Sequence, residues 1–189
     1  MAVLSEFSTN KLKSFASLRG GFATSESFQV SFTAKILPLS KIGIKPEITY
    51  LCENVALPTK SISGADKLIY GLNYQMPYRH TYPEIAMTFY CTKNMDEKKA
   101  FDKWQNLIIN PKTGDLSYYD DYTCDITIKK FHRDAIDFSS TPVYTIKLEK
   151  AWPSIVAEIQ LSHAQGSEVT RLPVTFQYKK WISTEGDDV

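Results

Sequence analysis

Between Leu68 and Tyr82 the large side chains recur at even positions: Leu68, Tyr70, Leu72, Tyr74, Met76, Tyr78 and Tyr82. Ile69, Gly71, Asn73, Gln75, Arg79 and Thr81 alternate with them. A period of two is the mark of extended chain, because successive side chains of a strand leave opposite faces. Tyr70, Tyr74, Tyr78 and Tyr82 also fit a helical stripe, but Gly71, Pro77 and Pro83 oppose a helix there. The run is longer than a common single strand. Gly71 and Pro77 offer places to turn or bulge. Residues 59–83 are therefore predicted to form a long projecting hairpin or loop. Left uncovered, such a stripe is a large apolar patch, and such patches mark interaction sites. A segment folded back over its own sheet would show the same alternation.

Shorter runs of the same period surround it. Phe28, Val30, Phe32, Ala34 and Ile36 alternate with polar residues, and Ile48 to Leu57 reads as a second strand stopped by Pro58. Ile85, Met87, Phe89 and Cys91 share one face of a third, and Cys124, Ile126 and Ile128 one face of a fourth. Tyr144, Ile146 and Leu148, then Val156 to Leu161, then Leu172, Val174, Phe176 and Tyr178 complete the set. One segment changes period: Met95, Ala100, Phe101, Trp104, Leu107 and Ile108 line one face of a helix at about 95–109. Asn94 is its expected N-cap, and Asp96 and Glu97 complement the helix dipole. Asn110, Pro111 and Gly114 stop it.

The fold class is mainly β: an antiparallel β-sandwich or curled sheet of about seven or eight strands with one flanking α-helix. Phe28, Val30, Phe32, Met87, Phe89, Phe101, Trp104, Ile126, Ile128, Tyr144, Ile146, Leu148, Trp152, Leu161, Val174 and Phe176 are the expected core. Residues 27–182 suit a single domain. Residues 1–26 read as a flexible arm in which Phe7, Phe15 and Phe22 could order against a neighbour, or equally as a disordered tail. Residues 183–189 form an acidic tail. The expected assembly interface is Leu68, Tyr70, Leu72, Tyr74, Met76, Tyr78 and Tyr82 of the hairpin, with Phe7, Phe15 and Phe22 of the arm.

The chemistry of sites is sparse. His80, His132 and His163 show no two-histidine metal spacing, and no phosphate-binding glycine loop or nucleophile elbow occurs. Cys52, Cys91 and Cys124 are far apart and odd in number, which fits reduced, packed thiols. Asp120 and Asp121, in S-Y-Y-D-D-Y, read as a solvated loop unless partners converge on them. The segment F-H-R-D at 131–134 reads as a surface ion pair. Lys and Arg number 22 against 21 Asp and Glu, so the net charge of +1 gives no global drive toward nucleic acid or anionic membrane. No secretory leader and no membrane span are expected. The expectation is no catalytic residue, no metal and no cofactor.

Three segments, in order, look familiar. The first is N-V-A-L-P at 54–58, where Leu57 and Pro58 close a strand before the long loop. The second is A-F-D-K-W-Q at 100–105, a helix carrying Trp104. The third is K-A-W-P-S-I-V-A-E-I-Q-L-S-H at 150–163, with Trp152, Pro153, Glu158, Gln160 and Leu161, followed by V-T-F-Q-Y-K-K-W at 174–181. This order resembles the tail tube proteins of contractile-tailed bacteriophages. Baseplate tube-initiator proteins and the tubes of related contractile injection systems are their close relatives.

The resemblance implies a curved β-sandwich whose hexameric rings close by sheets continuing between subunits. Rings would stack into a hollow conduit inside a contractile sheath. Such a tube holds a tape-measure protein during assembly and passes DNA at ejection without sequence-specific binding. Partners would be further copies of the chain, the sheath, the tape-measure protein and baseplate or tube-initiator proteins, with no membrane. The location would be the virion tail, assembled in the host cytoplasm. The arm is longer than that family needs, and the charges on polar strand faces (Lys35, Asp125, Lys129, Lys147, Glu149, Lys179) are mixed where the family tends to be acidic. A tube initiator of the same fold is therefore the second reading, and the tube of a related injection machine the third. A small β binding module is the alternative from another class; it would show one coherent basic or aromatic groove.

Overall fold

The computed structural model describes residues 25–34, 42–69, 71–132, 141–161 and 169–183. Phe7, Phe15, Phe22, Lys35, Ile36, Tyr70, Arg133, Asp134, His163 and the tail beyond Ser183 lie outside the described residues.

The strands are β1 (Phe28–Thr33), β2 (Cys52–Val55), β3 (Ser61–Ile69), β4 (Leu72–Thr81), β5 (Ile85–Tyr90), β6 (Cys124–Lys130), β7 (Tyr144–Val156), β8 (Arg171–Gln177) and β9 (Lys180–Ser183). The helix α1 spans Asp96–Ile108, and a single helical turn, α2, spans Tyr119–Tyr122. Seven strands make one antiparallel sheet in the order β1-β6-β7-β8-β5-β2, with β9 also on β7. β3 and β4 pair with each other as a separate two-stranded ribbon.

The long strand β7 gives the sheet its curl. Its first part pairs with β6 and β9, and its last part, from Trp152, pairs with β8. Between the two parts Lys150 takes a left-handed φ of 52°, which turns the strand. The Lys150 N–H donates to the Asp125 carboxylate at 3.1 Å, and the Lys179 N–H donates to the Glu149 carbonyl at 3.0 Å, so the corner keeps its backbone groups bonded. The result is two half-sheets, β1-β6-β7-β9 and β7-β8-β5-β2. Phe32 of the first meets Phe89 and Phe176 of the second at 6.3 and 6.1 Å between ring centroids. Trp104 and Phe101 from α1 complete this aromatic cluster, both fully buried. Each such side chain contributes about 1.5–3 kcal/mol by leaving water.

The predicted core holds at its centre: Val30, Met87, Phe89, Phe101, Trp104, Ile126, Ile128, Ile146, Leu148, Val174 and Phe176 are buried. Phe28, Phe32, Tyr144 and Trp152 are half-buried and pack against it. Leu161 is a correction, being 84% exposed. The expected strand from Val156 to Leu161 does not form; β7 ends where that strand was to begin. Ala157 N–H still donates to the Pro173 carbonyl at 2.9 Å, but Pro173 has no N–H to return, and the ladder stops.

Two further expectations change. Residues Pro46–Tyr50 form a 3-10 turn, so the second strand is only Cys52–Val55. Met95, with φ 55°, caps α1 in place of Asn94 and makes no side-chain cap bond. The neighbouring contact runs through Glu97, whose carboxylate accepts from the Thr92 N–H at 2.8 Å and the Thr92 hydroxyl at 3.0 Å.

Candidate assembly surfaces

The β3–β4 ribbon is the predicted projecting hairpin. Gly71 sits at its tip with φ 86°, a conformation that costs a residue with a Cβ and costs glycine nothing. The ribbon's base is fixed by two contacts. The Trp181 indole N–H donates to the Thr59 carbonyl at 3.3 Å, and Tyr82 packs on Tyr178 at 6.3 Å. The Tyr178 hydroxyl is buried with no hydrogen-bond partner among the described residues, and burial raises its pKa.

Register decides which residues share a face. Tyr74 pairs with Lys67 and Met76 with Ala65, while Leu72 pairs with Ile69. Leu68 pairs with Asn73, so its position lies on the face opposite Tyr74. The turn thus inverts parity, and even numbers do not define one face across both strands. A register shift between Ser63 and Gly64 leaves Tyr78 as the extra residue of a bulge, between Pro77 and Arg79. Tyr74, Met76 and Tyr78 are 44, 49 and 64% exposed. Ile62, not singled out from the sequence, is 65% exposed on the face opposite Tyr74 and Met76. Tyr82 is half-buried at the base, stacked edge-on with His80. Leu68 and Leu72 lie in the ribbon strands.

A second surface is the outer face of the first half-sheet. Its rows read Gln29–Lys129–Thr145, then Ser31–Thr127–Lys147–Ile182, with Thr33 opposite Asp125 and Glu149 opposite Lys180. Lys147 pairs with Asp125 at 2.9 Å and Lys180 with Glu149 at 3.4 Å. Lys129 has no ion pair among the described residues. Among the described residues β1 pairs only with β6, and β9 only with β7, so each has one edge without a strand partner there.

No three His, Cys, Asp or Glu side chains converge as metal ligands among the described residues. Asp120, rather than lying loose, accepts from Lys150 Nζ at 2.6 Å, which raises the lysine's pKa. His132 is exposed. Burial raises the thiol of Cys52 to about 12, and pushes Cys124 and Cys91 up as well. No helix among the described residues is long and apolar enough to cross a membrane.

The residues that carried the resemblance divide into two groups. Trp104 and Pro153 are buried, and Trp152 packs edge-on against Tyr122 at 6.4 Å. Leu57, Glu158, Gln160 and Leu161 are exposed, and Pro58 is half-buried. The first group holds α1 and the β7 corner; the second lies on the surface.

A curled antiparallel sheet packed on one helix, with a separate two-stranded hairpin outside its core, defines a mainly β subunit. The family model for phage tail tube proteins matches residues 23–184, and the chain belongs to that family of structural tube proteins. No curated protein matches it. Among solved structures, a chain of the anti-feeding prophage baseplate is similar at a TM-score of 0.63 and 14% identity, covering 89% of this chain and 98% of that one. A chain of the PVC extracellular contractile injection system, from its sheath/tube terminator in the extended state, gives 0.60 and 16%, covering 86% and 96%. A crystal structure of Hcp protein gives 0.50 and 15%, covering 84% and 92%. These likenesses are of fold.

Proposed function

We propose that this chain is the repeating subunit of a contractile tail's inner tube. Copies close into a hexameric ring by pairing the free edge of β1 with the free edge of β9 in the next subunit. The symmetry follows the 6-fold form of the anti-feeding prophage baseplate. The polar outer face of β1-β6-β7-β9 then lines a channel, and rings stack through the hairpin. The observation that carries this reading is the half-sheet itself. It has one polar face, one face on the core, and two strand edges without a strand partner among the described residues. Unpaired edges invite strand addition.

On that lining Lys147 and Lys180 are each matched by a carboxylate, which limits the grip of the wall on phosphate, while Lys129 has no ion pair among the described residues. The tube passes DNA without reading its sequence, inside a sheath, with tape-measure and baseplate proteins as further partners, in a virion tail assembled in the host cytoplasm. A tube-initiator role at a baseplate is the second reading, favoured by the fold likeness to a baseplate chain. End-on class averages from electron microscopy test the ring: six-fold particles with an open centre are expected. Another symmetry, or particles without a channel, contradicts it.

A further inference from the structure

We infer that the loop after α1 is the docking site for the hairpin of a second copy of this chain. This rests on the tube reading and names the receptor surface that the reading leaves open. After α1, Ile109 and Leu116 form an isolated antiparallel bridge, and the Ser117 hydroxyl donates to the Leu107 carbonyl at 2.6 Å. The segment is therefore an ordered loop, closed at its neck by backbone contacts. It nevertheless exposes its large side chains: Ile109 is 53%, Leu116 68% and Tyr118 84% exposed. Ordered apolar groups held in water mark a contact surface.

Charge says which contact. Residues 107–122 carry Lys112 against Asp115, Asp120 and Asp121, and with Lys150 paired to Asp120 the surface keeps a net of −1 (2 − 3). The hairpin segment 59–83 carries Lys60, Lys67 and Arg79 against Asp66, a net of +2 (3 − 1). Asp115 and Asp121 are exposed and have no ion pair among the described residues. On the hairpin, Lys67 sits across from Tyr74, so its cation flanks the exposed apolar face. Each surface thus pairs exposed aromatic or aliphatic groups with a charge opposite to the other's. Opposed potentials of this kind fix partner and register. Two different patches on one molecule that fit each other make a heterologous contact, which propagates from copy to copy. A hairpin-to-hairpin contact would instead bring like charges together.

A charge-swap series on the full chain tests this, read by sedimentation with circular dichroism as the control for folding. Wild type must assemble; failure to do so would defeat the tube reading itself. Asp115→Lys with Asp121→Lys is expected to cut assembly at least tenfold at low salt. Lys67→Glu with Arg79→Glu is expected to do the same, and combining all four changes to restore it. Leu116→Ser with Tyr118→Ser probes the loop without altering charge and is expected to lose assembly as well. If loop variants assemble like wild type while the hairpin variants do not, the hairpin docks elsewhere, or on a different protein, and the inference is overturned with the tube reading intact.

Discussion

The Trp104 indole N–H donates to the Tyr122 carbonyl at 2.7 Å, tying the middle of α1 to the turn that leads into β6. Both partners are buried, so the bond carries more than packing: losing the donor would strand a carbonyl away from water. Trp104 also stacks with Phe101 and meets Phe32 and Phe176. One side chain therefore joins the helix, both half-sheets and the turn before β6.

Trp104→Ala should destabilise the fold by about 3–5 kcal/mol, through the cavity left behind. Trp104→Phe keeps most of the volume but leaves the Tyr122 carbonyl unpaired, at a cost of about 1–3 kcal/mol. Urea unfolding midpoints of the two variants measure this; an unchanged midpoint for Trp104→Ala would mean that α1 does not pack as described.

The edge strand β2 is held by Glu53, which receives a hydrogen bond from Tyr90 and lies 2.8–2.9 Å from Arg171 Nε. The Tyr90 bond, then Arg171, lowers the Glu53 pKa below its ordinary 4.5. A group with a lowered folded pKa stabilises above its unfolded value, and that gain disappears as pH falls through the folded one. Wild type should thus be more stable than Glu53→Gln at pH 7, and the difference should vanish in acid. The gain is small because the groups are solvated. A difference that persists under full protonation would assign it to packing.

Cys52 and Cys124 should be inert in the folded chain. With Cys52 raised to about 12, its thiolate fraction at pH 9 is on the order of one in a thousand, and only thiolate reacts with alkylating agents. Mass spectrometry after iodoacetamide at pH 9 should show Cys52 and Cys124 unmodified, and modified in urea. Rapid labelling of Cys124 without denaturant would contradict its burial.

Asp125→Asn removes the partner of Lys147 and leaves Lys129 and Lys147 together on the outer face of β6 and β7. If that face lines the channel, assembled Asp125→Asn should retain short duplex DNA at low salt and release it as salt rises. Wild-type assemblies should retain little. Equal retention by both would place this face away from the lumen.

Much of the fold was legible because amphipathic period survives burial: β1, β5, β6, β8 and α1 stand where their apolar spacing puts them. Features set by partners far along the chain were not legible. Nothing in the residues around Lys150 announces a left-handed corner, since lysine has no preference for one. The end of β7 depends on Pro173, which becomes its neighbour only through long-range pairing. In the hairpin, even spacing correctly indicated extended chain, but the face of the Leu68 position depends on a turn that inverts parity, and that of Tyr78 on a bulge. The loop with Leu116 and Tyr118 escaped notice because it has no period; its only sequence signal is large apolar residues among turn formers.

Sedimentation velocity of the purified chain beside Tyr74→Asp with Met76→Asp tests whether the hairpin drives self-assembly. Both should show the same β-rich circular dichroism, because Tyr74 and Met76 lie outside the core. Wild type should sediment as rings and longer polymers, increasing with concentration, and the variant should not polymerise. A wild-type chain that remains a 21.5 kDa monomer at every concentration, or a variant that polymerises as well as wild type, would contradict the account.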